Sequence, residues 1–185
     1  GGRGFCLWLL WNGVKDTTKW DDPENEFVLS CGVIGGVTAF PGTGKSIVAT
    51  ISPLTHSVID SNGGGYFGPY LKFAGWDALE IQGKAENNVI IFIDGDTGIV
   101  QIEEAPLEEI DTHIISRQLT EMYGGDNLRS VSVVSAGQAA DHVPMCGVNL
   151  SYYDTKRDEV RIKQAARGGA GSVLRNKKVK AVVVK

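Results

Sequence analysis

Cysteine is scarce in this chain of 185 residues: Cys6, Cys31 and Cys146 are the three, and no two have C-x-x-C spacing. That excludes a metal or redox motif of that spacing. Three thiolates also fall short of the four ligands of a typical iron–sulfur cluster. The remaining reading is small, buried, free thiols in a reducing compartment. No apolar run approaches the length that crosses a bilayer. No signal peptide is legible, so the cytoplasm is the expected location and no membrane is a partner. The chain opens Gly1-Gly2-Arg3-Gly4 without Met, which predicts a piece of a longer chain. His56, His113 and His142 lie far apart, so no Ser-His-Asp arrangement follows from spacing. Each is expected to be structural or exposed. There is no internal repeat and no low-complexity segment.

With 42% hydrophobic residues the chain can bury a core of ordinary size. Its net charge of -4 hides an asymmetry. Residues 156–185 hold ten Lys or Arg and two acids; the residues before them hold eight Lys or Arg and twenty acids. A basic C-terminal segment can meet phosphates. The acidic balance overall argues against a nucleic-acid binder.

Short β-branched stretches dominate. Strands are predicted at residues 27–33, 46–52, 78–83, 88–94, 99–102, 130–135, 145–152 and 179–184, with 78–102 as a meander. A buried helix is predicted at 5–14 and a helical turn at 69–73. The strongest helix is at 107–123, where Leu107, Ile110, Ile114, Ile115, Leu119 and Met122 share a face and Gly124-Gly125 stops it. Without regular βαβ alternation, the pattern predicts an α+β fold with mostly antiparallel sheets. Asp94, Asp96, Glu103, Glu104, Glu108 and Glu109 are expected on a solvated face.

Three motifs invite chemistry. Ala39-Phe40-Pro41-Gly42-Thr43-Gly44-Lys45-Ser46 nearly spells a P-loop. However, Ser46 opens a β-branched run ending at Pro53, and a P-loop needs a helix there. Lys45 is instead read as a cation at the start of a strand. The second motif is Ser61-Asn62-Gly63-Gly64-Gly65-Tyr66-Phe67-Gly68, whose glycines let a ligand approach the main chain. The third, residues 161–171, sets Arg161, Lys163 and Arg167 among small residues, which is how amides and charge together hold an anion. A glycine turn with ordinary surface cations accounts for it equally well.

Taken with Pro23-Glu24-Asn25, Ser52-Pro53-Leu54-Thr55, Leu71-Lys72-Phe73-Ala74-Gly75-Trp76-Asp77, Arg167-Gly168-Gly169-Ala170-Gly171 and Asn176-Lys177-Lys178, the chain resembles the N-terminal domain of the tungsten-containing aldehyde:ferredoxin oxidoreductases. The resemblance covers nearly all of it. It implies two β-sheets forming a base for tungsten, or molybdenum, held by two pterins, with a magnesium ion bridging the pterin phosphates. By motif, Asn62 and Gln164 offer backbone carbonyls to the magnesium. Gly63 and Gly64 contact one pterin, and Lys163, Ala166 and Arg167 hold the other. Lys45 stands where the family usually has an Arg joining a pterin to a 4Fe-4S cluster; Lys keeps the charge and loses the planar fork. Lys163 and Gln164 also depart from the family's Arg and small residue. The cluster cysteines belong to later domains, as do the proton-transfer groups. The whole enzyme would oxidise an aldehyde and pass electrons to ferredoxin, with homodimers common in the family. The alternatives are the tungsten subunit of an aromatic acyl-CoA reductase, and a non-catalytic module that has lost its metal.

Overall fold

The computed structural model describes residues 2–105 and 111–185. In chain order its elements are α1 (Gly2–Gly13), β1 (Phe27–Cys31), β2 (Ser46–Ile51), β3 (Val58–Gly63), α2 (Phe67–Phe73), β4 (Ala78–Ile81), β5 (Val89–Asp94), β6 (Ile99–Glu104), α3 (Thr112–Gly124), β7 (Ser132–Ser135), β8 (Val148–Asp154), β9 (Glu159–Ala165), α4 (Ala170–Asn176) and β10 (Val179–Val184). Two sheets form, in the orders β3-β2-β1-β4 and β6-β5-β10-β7-β8-β9. Every pairing but β10 with β5 is antiparallel. The expected α+β class with mainly antiparallel sheets is what folds.

Side-chain alternation explains how the layers stack, because neighbouring strand residues face opposite ways. Phe27 and Leu29 of β1 point into a core shared with Val134, Leu150, Val182 and Val184 of the larger sheet and with α2 and α4. Val28 points the other way, to Cys6 and Leu10 of α1. In β10, Ala181 and Val183 meet Ile115 and Leu119 of α3 on the outer face. Both faces of β10 are thus covered, which is why its sequence is a near-continuous apolar run. The last strand in sequence is an interior strand in space.

Four expectations need correction. Residues 5–14 do form most of a helix, but not a buried one. Only Gly2, Cys6 and Leu10 of α1 are buried, a stripe four residues apart, while Phe5, Leu7, Trp8 and Trp11 are exposed. The meander does not exist, because β4 pairs with β1 while β5 and β6 form a hairpin in the other sheet. Between them the chain crosses sheets, tied by Gly83 N–H to Pro23 O and Ala85 N–H to Lys177 O. Residues 60–63, outside the predicted strands, are the end of β3, and residues 159–165 are a full strand. Both are edge strands, whose polar outward side hides the alternation. Of the predicted helix at 107–123, α3 is the described part, capped by Asp111, whose side chain accepts from His113 and Ile114 N–H. Leu107, Glu108, Glu109 and Ile110 lie outside the described residues.

A polar cluster of Glu80 with the buried Glu26 and Lys177 joins the sheets. Glu26 is 2% exposed. Burial, followed by its neighbour Glu80, pushes its carboxyl up to about 8. The folded state therefore binds a proton that the unfolded chain has released above its ordinary value of 4.5. Stability from this group is present below that value and is lost as pH rises toward 8. Chemical unfolding is expected to show a decline on the order of 2 kcal/mol across this window. Glu26→Gln should flatten it; an unchanged slope would remove Glu26 as the cause.

Candidate functional site

The edges of the two sheets meet where the two glycine-rich motifs lie. Gly63 ends β3 against the β8–β9 hairpin: a Cβ there would stand 2.5 Å from Leu150 Cδ1 and 3.3 Å from the carbonyl carbon of Gln164. Its bareness is therefore a packing requirement, set by the join between sheets. Gly65 has φ +100 and makes the turn. Gly64 is the open one, with the Lys163 side chain 3.7 Å from its Cβ position.

The second motif reaches back across this join. Arg167 N–H donates to Ser61 Oγ at 3.1 Å, and Ser52 Oγ donates to Gly168 O at 2.8 Å. Gly168 and Gly169, with φ +74 and +75, turn the chain from β9 into α4. Gly169 fits beneath Pro144 O, which would lie 2.0 Å from a Cβ.

A cleft of about 480 Å³ opens at this join, lined by Arg3, Asp60, Ser61, Asn62, Ala166 and Arg167. Three of the residues expected from sequence, Asn62, Ala166 and Arg167, thus share one cleft. Gly63, Gly64, Lys163 and Gln164 form the adjoining join. Lys163 Nζ lies 5.8 Å from the centroid of the Tyr152 ring, and Gln164 Nε2 donates to Asn149 Oδ1 at 3.0 Å. The Gln164 side chain is thus tied to the neighbouring strand. Lys45 precedes β2, whose Ser46 pairs with Gly63, and its carbonyl accepts from Cys31 Sγ at 3.3 Å. It is exposed beside the glycine run and does not line the cleft. Ser46 opens a strand, so the P-loop reading fails on structure as it did on sequence.

Arg3, Asp60 and Ser61 were not expected in the site. Arg3 comes from the first turn of α1, and its Nε and Nη2 both lie 2.8 Å from Asp60 Oδ2. The signal available was the Gly1-Gly2-Arg3-Gly4 opening, but 57 residues separate Arg3 from Asp60. None of the thiols lines the cleft. Cys6, Cys31 and Cys146 are free, and burial raises all three above the ordinary thiol range. Among the described residues no three His, Cys, Asp or Glu side chains group as a metal site, and no helix is long and apolar enough to cross a membrane.

The profile of the aldehyde ferredoxin oxidoreductase N-terminal domain matches residues 1–185. The chain belongs to this family. It is 34% identical over 188 residues to the tungsten-containing aldehyde ferredoxin oxidoreductase of Pyrococcus horikoshii, and 32% identical over 191 to that of Pyrococcus furiosus. A WOR-like subunit of an aliphatic sulfonate oxidoreductase from Pyrococcus furiosus is 30% identical over 198 residues. These matches cover 100% of the chain but 28%, 28% and 30% of the relatives. Among solved structures, a chain of the active-site complex of benzoyl coenzyme A reductase with 1,5-dienoyl-CoA superposes with a TM-score of 0.84 at 30% identity. That match spans 100% of this chain and 26% of the other. Family members thus share this two-sheet domain as a minor part of a longer polypeptide.

Proposed function

We propose that residues 1–185 are the cofactor-binding base of a tungsten- or molybdenum-dependent bis-pterin oxidoreductase that converts aldehydes to carboxylic acids. The observation that carries this is the cleft itself: two motifs over 100 residues apart in sequence close into one site, with Asn62 and Arg167 on its walls. The donor set fits a phosphorylated group. Cations line the cleft or flank it, small residues bare the main chain, and a carboxylate is already matched by an arginine. When bound, the metal would supply two-electron redox chemistry, with a 4Fe-4S cluster outside this chain as the outlet toward ferredoxin.

The chain's own residues bind and orient. Arg167 holds a pterin phosphate with its side chain while its N–H is tied to Ser61. Lys163, braced over Tyr152, would add a second cation, and Ala166 would keep the approach open. Gly63 and Gly64 present the main chain to the other pterin, with Lys45 as a flanking cation. Asn62 and Gln164 would hold a magnesium ion through their backbone carbonyls; the contact of Gln164 with Gly63 supports their closeness. The remaining polypeptide supplies the substrate pocket, so this domain alone turns over no aldehyde. The likeness to benzoyl coenzyme A reductase favours a second reading, an aromatic acyl-CoA reductase on the same base.

The test is metal and pterin analysis of the full-length protein from a tungsten-supplied host. Tungsten or molybdenum with pterin is expected. Arg167→Gln should lower bound pterin about tenfold, the loss of one charge-assisted contact. Clean absence from the wild type would favour a non-catalytic module, and aldehyde oxidation by residues 1–185 alone would overturn the division of labour.

A further inference from the structure

Arg3 stands on α1 with its side chain exposed. Its ion pair with Asp60 has side-chain exposures of 59% and 32%, and exposed pairs contribute little to stability. The ion pair thus gives a weak structural reason for it. The cleft gives a stronger one. Arg3, Asp60 and Asn62 line one side, with Asp60 and Asn62 two apart in β3 and so on the same side of the strand. Ala166 and Arg167 come from the other motif.

The pair's geometry orients the guanidinium. Nε donates to Asp60 Oδ2 at 2.8 Å and Nη2 lies 2.8 Å from the same oxygen in an ion pair, which commits one edge of a planar group with five donors. The Nη1 donors have no partner among the described residues. With Arg167, the cleft holds two cations against one carboxylate.

We propose that Arg3 is a phosphate-binding residue of this site, acting opposite Arg167, and that Asp60 is the positioning residue that aims it. This rests on the cofactor reading above. The ligand chemistry is a phosphate monoester dianion at the end of the pterin, and the arginine fork suits it better than a point charge. The role of Asp60 is counter-intuitive, since a carboxylate in an anion cleft repels the ligand. Its benefit lies in fixing Arg3.

The experiment uses full-length protein, with metal and pterin per polypeptide and the half-time of pterin release as readouts. Arg3→Gln is expected to release pterin about tenfold faster. Arg3→Lys should fall between it and the wild type, because charge remains and the fork is lost. Asp60→Asn should also speed release, although it removes a negative charge from the cleft. Slower release in Asp60→Asn would overturn the positioning role, and unchanged release in Arg3→Gln would overturn the binding role. Melting temperatures of the cofactor-free variants are expected within about 2 °C of the wild type. A drop that accounts for the lost pterin would make the pair a structural staple and overturn the proposal. If the wild type carries no pterin, the cofactor reading fails first and this inference falls with it. A loaded wild type with a fully loaded Arg3→Gln sinks the inference alone.

Discussion

Gly169→Ala is expected to destabilise the protein by about 4 kcal/mol, roughly a 10 °C fall in melting temperature. Two costs add. Gly169 has φ +75, a left-handed conformation that costs an L side chain about 1–2 kcal/mol. The new methyl would also lie 2.0 Å from Pro144 O and 2.8 Å from Pro53 Cγ. Both are backbone or ring atoms, so relief requires two loops to move. Forced insertion of this kind typically costs about 1–3 kcal/mol. Gly75→Ala separates the two costs. Its φ is +93, but a Cβ there meets nothing within 4 Å, so it should lose only about 1–2 kcal/mol. Thermal unfolding of both variants is the measurement, and equal losses would show that the steric argument is wrong. Gly169 also ends the turn that presents Arg167, so Gly169→Ala should weaken pterin retention as well.

Lys177→Met is expected to cost about 3 kcal/mol. Lys177 is 2% exposed, and its Nζ donates to Pro23 O at 3.1 Å and Gly83 O at 2.9 Å. Met fills a similar volume, so packing survives, while two carbonyls lose their donor at about 1–3 kcal/mol each. The substitution also removes the cation near Glu26. Burial pushes Lys177 down to about 8 from 10.5, with Glu26 and then Glu24 acting the other way. The folded state therefore binds fewer protons than the unfolded chain between pH 8 and 10.5. Wild-type stability from this group rises across that window, and the variant lacks the rise. The deficit should thus be larger at pH 10 than at pH 7, read by chemical unfolding at both. A deficit that shrinks with pH would show that Lys177 keeps its proton when folded.

The two substitutions also show which parts of the molecule the sequence disclosed. Lys177 belongs to the Asn176-Lys177-Lys178 block, read only as part of a family pattern; its two carbonyl partners lie 154 and 94 residues away. No local pattern announces a lysine that ties two loops together. Glu26, next to the first predicted strand, carries no local signal of burial either. Gly169 was noticed for its composition, but the reason it must be glycine is Pro144, a residue with no legible signal.

Strands were legible where alternation or apolar runs were strong, as in β1, β2, β5 and β10. They were missed or blurred where one side faces outward. β9 carries Arg161, Lys163 and Gln164, so its cations outweighed its pattern, and its strand character came from pairing with β8. The false meander has the same root. Sequence gives three neighbouring strands, but which sheet each joins depends on partners elsewhere in the chain.

For the site, the sequence alone determined the chemistry on offer. The glycine run, the small-residue block and the cations Lys163 and Arg167 were all visible in it, and so was the family resemblance. Only the tertiary structure decided how they are arranged. It joined β3 to β9, showed that Gly63 is bare for packing and that Gly64 is the open position, and left Lys45 outside the cleft. It also brought in Arg3 and Asp60. The physical reason is that residue type is a local property of the chain, whereas a binding site is a set of distances, and the meeting of two sheet edges sets those distances.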